Sequence, residues 1–451
     1  MATQDIIEPR LSIASAALNK SSAHFARPSG RNLLSRTAPF LRWHDIRTEA
    51  QVWPYSRCMA SPPQSTATIQ DEGGHQTEGL NFASQDYLAL STHPAIINAA
   101  IRALHDFGTH SASSPMLQGN TTLSLQLETA LSTLLAMEQI VLFSTGWGAG
   151  FGAIVALIRS DDYVILDNLA HACLQQGAHA STKNVLRHAH LDGDSVLQHL
   201  RAIRAEDTKN GILVVTEGLF SMDSDSPDLV RLQALCHEYE ATLLVDVAHD
   251  LGASGPGGTG LLGIQAMLGK VDLVVGSFSK TFASNGGFLA TNSRAVKHYV
   301  KTFGGPHIFS NGLSPVQAGV VKEAIRIISS EEGACLRTDL QDAVMTLRLA
   351  LASHDLKCLG DPSAVVPVPI GTDRQGRIAS LALQQRGVFA NLVEFPAVAV
   401  GSARFRMQVM ATHSPDQILT AARMVAESIQ EAKDWFASDM DLNHAVVSVD
   451  R

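Results

Sequence analysis

In the stretch VDLVVGSFSKTFASNGGFLAT, from Val271 to Thr291, one lysine, Lys280, stands between two apolar runs, three residues after Ser277 and ahead of Gly286 and Gly287. Taken alone, Lys280 reads as a solvated side chain, the usual fate of a lysine. Asp246 closes another apolar run, TLLVD, and a carboxylate there needs a cationic or hydrogen-bonding partner. An isolated aspartate at that point could equally cap a helix or hold a loop. The two together, on the ends of adjacent strands, point to a more specific chemistry. A carboxylate binds a pyridinium nitrogen, an amine binds an aldehyde, and hydroxyls with amide N–H groups bind a phosphate. Pyridoxal 5'-phosphate (PLP) needs all three.

Other residues fit the same ligand. In STGWGAG (Ser144–Gly150), the glycines between a strand and a helical segment can turn the amides of Gly146 and Trp147 toward a phosphate, although a plain strand-to-helix connection reads the same way. His171, just past a strand end in DNLAHACL, could stack on the cofactor ring or be an ordinary core histidine.

The elements that must position these groups follow from periodicity. IVLFS, YVILD, GILVVTEG, ATLLVDVAH, VDLVVGS and GFLAT are short apolar runs suited to strands buried on both faces, and segments such as LSLQLETALSTLLAM and SPDLVRLQALCHEYE between them repeat every 3.6 residues. The alternation predicts an α/β fold with a mainly parallel sheet covered by helices. Ligands of such sheets bind beyond the carboxyl ends of the strands. Reading each strand to its end leads to Ser144 and Thr145, Asp167 and His171, Glu217 and Ser221, Asp246 and His249, and Ser277 and Lys280. We therefore expect a Ser-, Pro-, Thr- and Arg-rich N-terminal extension or linker at 1–80, a large cofactor-binding domain at 81–320, a smaller α+β domain at 321–435 and a tail at 436–451. No repeat at solenoid or propeller spacing is visible.

Composition narrows the function classes. With 451 residues, 45% hydrophobic and 17% charged, the chain reads as a globular protein of two or three domains. A net charge of -9 gives no reason to expect nucleic acid or an anionic membrane as partner. Cys58, Cys173, Cys236, Cys335 and Cys358 lack metal-like spacing, and their odd number fits a reducing, cytoplasmic setting. No metal site and no membrane-spanning run is expected. Asp5 and Glu8 argue against a signal peptide, and the arginines from Arg27 to Arg47 read as a solvated extension rather than a transit peptide.

The order of NFASQDYLAL, FSTGWGAG, DNLAHACL, EGLFSMDSD, DVAHDLG, GSFSKTF, HIFSNGLSP and ARFRMQVMATH resembles the α-oxoamine synthases, a family of fold-type-I PLP enzymes, with a texture similar to its bacterial serine palmitoyltransferase-like members. The match runs from about Asn81 to Ile429. The resemblance implies a decarboxylative condensation of glycine, alanine or serine with an acyl thioester on coenzyme A or a carrier protein, within lipid or secondary-metabolite biosynthesis. It implies that Lys280 bonds the cofactor aldehyde, Asp246 pairs with the pyridine nitrogen, His249 and Ser221 approach the phenolic oxygen, and His171 stacks on the ring. Gly146, Trp147 and Ser277 would hold the phosphate. Ser310 and Asn311 would reach the phosphate of a second subunit in a homodimer with shared sites. Arg406 would grip the amino acid carboxylate, a role that suits a planar two-point donor. Alternatives on the same scaffold are an aminotransferase, an aldol-type lyase or a regulatory subunit. The chain departs from the family at Gln85, where asparagine is usual and substrate passes, at Ser124 in place of histidine, at Gly150 in place of asparagine, and in GASGPGGTG, which lacks the usual Gly-Arg-Gly.

Overall fold

The computed structural model describes residues 15–447, so Asp5 and Glu8 and the last four residues lie outside the described residues. Thirteen strands are described: β1 (Cys58–Met59), β2 (Thr66–Gln70), β3 (Gln76–Phe82), β4 (Gln139–Phe143), β5 (Tyr163–Asp167), β6 (Asn184–His188), β7 (Ile212–Glu217), β8 (Thr242–Asp246), β9 (Leu273–Ser277), β10 (Gly287–Thr291), β11 (Val365–Gly371), β12 (Val388–Val393) and β13 (Ala403–Gln408). They form two sheets, one in each of two compact units.

The larger unit spans Gln85–Gln341 with Met410–Thr412. Its seven strands lie in the order β4-β10-β9-β8-β7-β5-β6, and only β10 runs against its neighbours. The strands are apolar throughout because helices cover both faces; every residue of β7 is buried. Helices Gly146–Leu157 and Ala172–Ser181 seal one face through Ala149, Ala153, Ile154, Leu174 and Ala178, packed on Val141, Val164, Leu166 and Val275. Burying an aliphatic side chain of this size is worth about 1.5–3 kcal/mol, so this layer fixes the strand ends that carry the polar groups.

The smaller unit comprises the described residues through Ser84, Asp342–Val409 and the described residues from His413. Its six-stranded sheet runs β1-β2-β3-β12-β13-β11 and is antiparallel apart from the β12–β3 pair. The N-terminal segment is thus built in. β2 and β3 are sheet strands where a linker was expected, since Val388–Ala390 pair with Leu80–Phe82. Arg47, expected in a solvated extension, is fully buried: its Nε donates to the Ala17 carbonyl at 3.0 Å, its guanidinium lies 4.0 Å above the Trp43 ring, and Glu394 stands 3.7 Å away. Arg377 donates to the same glutamate at 2.8 Å and to the carbonyls of Leu18 and Lys20, which ties the segment down. The expected boundary at 320 falls inside the helix Pro315–Ile328 of the larger unit, and residues 436–447 continue the helix Pro415–Val447.

Candidate active site

The carboxyl ends of β5, β7, β8 and β9 bring His171, Glu217, Asp246 and Lys280 into one electrostatic cluster. Glu217 and Asp246 are register partners on adjacent parallel strands. Asp246 Oδ1 accepts the Ala248 N–H at 3.0 Å, closing the turn after β8. Burial pushes the Asp246 carboxyl up, while Lys280 and His171 pull it back. Glu217 is more extreme: burial and the charge of Asp246 raise it well above the usual carboxylate range. Its Oε1 accepts the backbone N–H of His171 at 2.6 Å.

His171 caps the helix Ala172–Ser181, with Nδ1 accepting the Cys173 N–H at 3.3 Å. Its ring meets the half-exposed Trp147 ring edge to face, with centroids 6.0 Å apart. Trp147 opens the helix Gly146–Leu157, whose N-cap Thr145 accepts from Gly148 N at 2.9 Å. The amides of a first helical turn have no intrahelical acceptor and aim at anions. Gly146 is required here, because a Cβ would stand 2.5 Å from the Cβ and Oγ of Ser277. Ser277 is thereby pressed against the start of this helix, a hydroxyl beside a row of amides.

The chain is similar to known proteins over most of its length. Residues 77–425 match the family described as Aminotransferase class I and II. The chain is 34% identical over 369 residues to the 8-amino-7-oxononanoate synthase of Trichlorobacter lovleyi, covering 82% of this chain and 93% of that protein. It is also 34% identical over 354 residues to the serine palmitoyltransferase of Sphingobacterium spiritivorum, covering 78% and 87%. The chain belongs to the α-oxoamine synthases of this family. A solved serine palmitoyltransferase from S. paucimobilis with bound PLP-myriocin aldimine superposes with a TM-score of 0.83 at 27% identity, covering 89% of this chain and all of that one.

In this α-oxoamine synthase the remaining expected residues fall as follows. His249 is buried, with Nδ1 2.9 Å from the hydroxyl of Tyr87. Ser221 is half-buried in the turn after β7, which Phe220 and Asp225 close by backbone pairing. Ser310 and Asn311 follow the helix Gly305–Ile308, and the Asn311 carbonyl accepts a hydrogen bond from Ser144. Gln85 is half-buried at the start of the larger unit. Arg406 lies on β13 of the smaller unit opposite Asn391 and Pro367; it is half-buried, while Arg404 on the same strand is buried. Sequence reasoning placed Glu217 at the rim but gave it no role, although GILVVTE ends an apolar run in an acid just as TLLVD does. It also missed Tyr87, whose contact with His249 depends on the fold, and Cys173, whose contact with His171 depends on the helix start between them.

Proposed function

We propose that this α-oxoamine synthase condenses a small amino acid, glycine, alanine or serine, with an acyl thioester, releasing carbon dioxide and free thiol and leaving an α-amino ketone. The observation that carries the reading is the gathering of Lys280, Asp246 and His171 on neighbouring strand ends. The donor set fits PLP: an amine for the aldehyde, a carboxylate for the ring nitrogen, and a helix N-terminus with the Ser277 hydroxyl for the phosphate. When bound, PLP supplies an electron-accepting ring that stabilises negative charge at the amino acid Cα.

The chain's own groups do the rest. Lys280 Nζ would hold the cofactor by its aldehyde and would serve as the base that takes the Cα proton of the amino acid. Asp246 keeps the proton on the ring nitrogen, and its site rewards a cation there because burial penalises a lone carboxylate. His249, steadied by Tyr87, and Ser221 would face the phenolic oxygen. Gly146, Trp147 and Ser277 bind the phosphate. His171 covers the ring and donates a hydrogen bond to the substrate carboxylate or to the oxyanion that forms on the thioester carbonyl. Arg406 holds the amino acid carboxylate, and Gln85 lines the substrate path.

Ser310 and Asn311 complete the phosphate site of a second copy. Support for a homodimer is an exposed apolar stripe on the helix Pro94–Phe107, formed by Ile97, Ile101, Leu104 and Phe107. Among the described residues no helix is long and apolar enough to cross a membrane. Free cysteines at all five positions support a cytoplasmic setting.

The test is to incubate the holoprotein with each amino acid and a series of acyl-coenzyme A and acyl-carrier-protein thioesters. Carbon dioxide and thiol should appear together, only with both substrates, and the product mass should equal that of the α-amino ketone. Conversion of an amino acid without a thioester would replace this reading by transamination or aldol cleavage. A protein inert with every pair would be a regulatory subunit.

A further inference from the structure

The ring of His171 turns back onto the helix that it caps. Nδ1 accepts the Cys173 N–H at 3.3 Å and lies 3.0 Å from Cys173 Sγ. A backbone N–H can only donate, so this contact favours a lone pair on Nδ1 and the ring proton on Nε2, but at 3.3 Å it is too long to fix the tautomer alone. The thiol reinforces this polarity. Cys173 is buried, and burial, together with the charges of Asp246 and Glu217, raises its pKa far above the ordinary thiol value, so it remains S–H and donates. A thiolate would instead accept from Nδ1–H and reverse the tautomer.

Room for the sulfur comes from the neighbouring helix. A Cβ at Gly150 would stand 2.8 Å from Cys173 Sγ and 3.1 Å from Leu174 Cδ2, closer than packed atoms approach. The glycine that departs from the family's usual asparagine and the thiol beside His171 are therefore one packing unit.

We propose that Cys173 is a positioning residue that locks His171 as the Nε2–H tautomer, so that His171 meets the substrate as a hydrogen-bond donor through the nitrogen turned away from the helix. Adding a proton at Nδ1 would set N–H against N–H and place positive charge at a helix N-terminus, where the peptide dipoles oppose it. Donation thus needs no change in the proton count of His171. The inference rests on the placement of His171 at the cofactor and substrate face, but its test needs no turnover.

The holoprotein, labelled with 15N-histidine, is compared by NMR with its His171→Gln variant to assign the two ring nitrogens. Nε2 should be protonated, and Nδ1 should resonate as an unprotonated nitrogen. In Cys173→Ala the two signals should move toward one another as the tautomers begin to exchange; in Cys173→Ser, which keeps a donor, they should return. The condensation kcat should fall about three- to tenfold in the alanine variant with the amino acid KM little changed, and serine should recover most of the loss. A protonated Nδ1 in the wild type, or a Cys173→Ala spectrum identical to it, would overturn the inference. If the alanine variant fails to fold, the wild-type and serine spectra still decide. The expected tautomer in a protein that performs no condensation would count against the proposed function alone.

Discussion

Glu217 and Asp246 show how two carboxylates of nearly equal address acquire different work. Both end apolar strands and both are pushed up by burial, but the charge of Asp246 raises Glu217 further and Lys280 offsets it only in part, whereas Lys280 and His171 both pull Asp246 back. Asp246, whose charged form Lys280 and His171 both favour, is the one able to hold a protonated ring nitrogen; Glu217 holds the His171 backbone. Asp246→Asn should therefore leave PLP bound through Lys280 and the phosphate groups, yet slow exchange of the amino acid Cα proton with deuterated solvent by roughly 10²–10³-fold, the usual loss when one electrostatic partner of a developing charge is removed. Proton NMR of glycine or serine in deuterated buffer gives the rate directly, and exchange at the wild-type rate would remove Asp246 from this role. These residues were legible in the sequence because a strand in a parallel sheet must end at the rim where ligands bind. Tyr87 gave no such signal, since nothing in its neighbourhood along the chain names His249 as a partner, and Cys173, though two residues from His171, reads as an ordinary buried cysteine until the helix start turns the ring back onto it.

At the scale of elements, the strands of the larger unit could be read directly as uninterrupted apolar runs, and their polar ends marked the site. β2 and β3 could not. TATIQ and QTEGLNF are short and polar, and β3 takes as partner a strand some three hundred residues later. The turn after β7 shows a tie of the same kind. His190, following β6, places Nδ1 2.9 Å from Asp167 Oδ1 and Nε2 3.1 Å from the Asp225 carboxylate, with its ring edge-on to Phe220. It thereby staples β5 to the turn that carries Ser221. Burial by itself would lower the pKa of His190, but hydrogen bonds to Asp167 and Asp225 outweigh it and raise the group to about 10. A histidine whose folded pKa lies above its unfolded value of about 6.5 contributes stability that is fully present below the unfolded pKa and is lost as the pH rises through the folded one. The melting temperature of the wild type should exceed that of His190→Gln by a few degrees at neutral pH, and the gap should close as the pH passes about 10. A gap that stays constant from neutral to alkaline pH would show that His190 does not titrate between the two aspartates.

For the whole molecule the open question is whether a single chain can be active. The helix Pro94–Phe107 buries Ile96, Ala99 and Ala103 in its own unit, while Ile97, Ile101, Leu104 and Phe107 stay exposed, Ile101 at 57%. Steps of four, three and three residues put those four on one face, so the helix is apolar on two sides, which suits a helix covered on both. Leu117 and Phe309, at 78% and 88% exposure, add to the exposed apolar surface of the same unit, and Phe309 directly precedes Ser310 and Asn311. If a second copy covers this surface and Ser310 and Asn311 serve the partner's phosphate, each site draws Lys280 from one chain and the loop from the other. Ile101→Asp with Leu104→Asp should then give a folded monomer by light scattering with little condensation activity. A mixing experiment separates loss of sharing from simple damage. Lys280→Ala and the Ser310→Ala, Asn311→Ala variant should each be nearly inactive alone. A mixed dimer of the two carries both defects in one site and none in the other. Random re-association should therefore restore about a quarter of the wild-type sites. No recovery on mixing, with mixed dimers demonstrated by mass, would mean that each chain builds its site from its own residues.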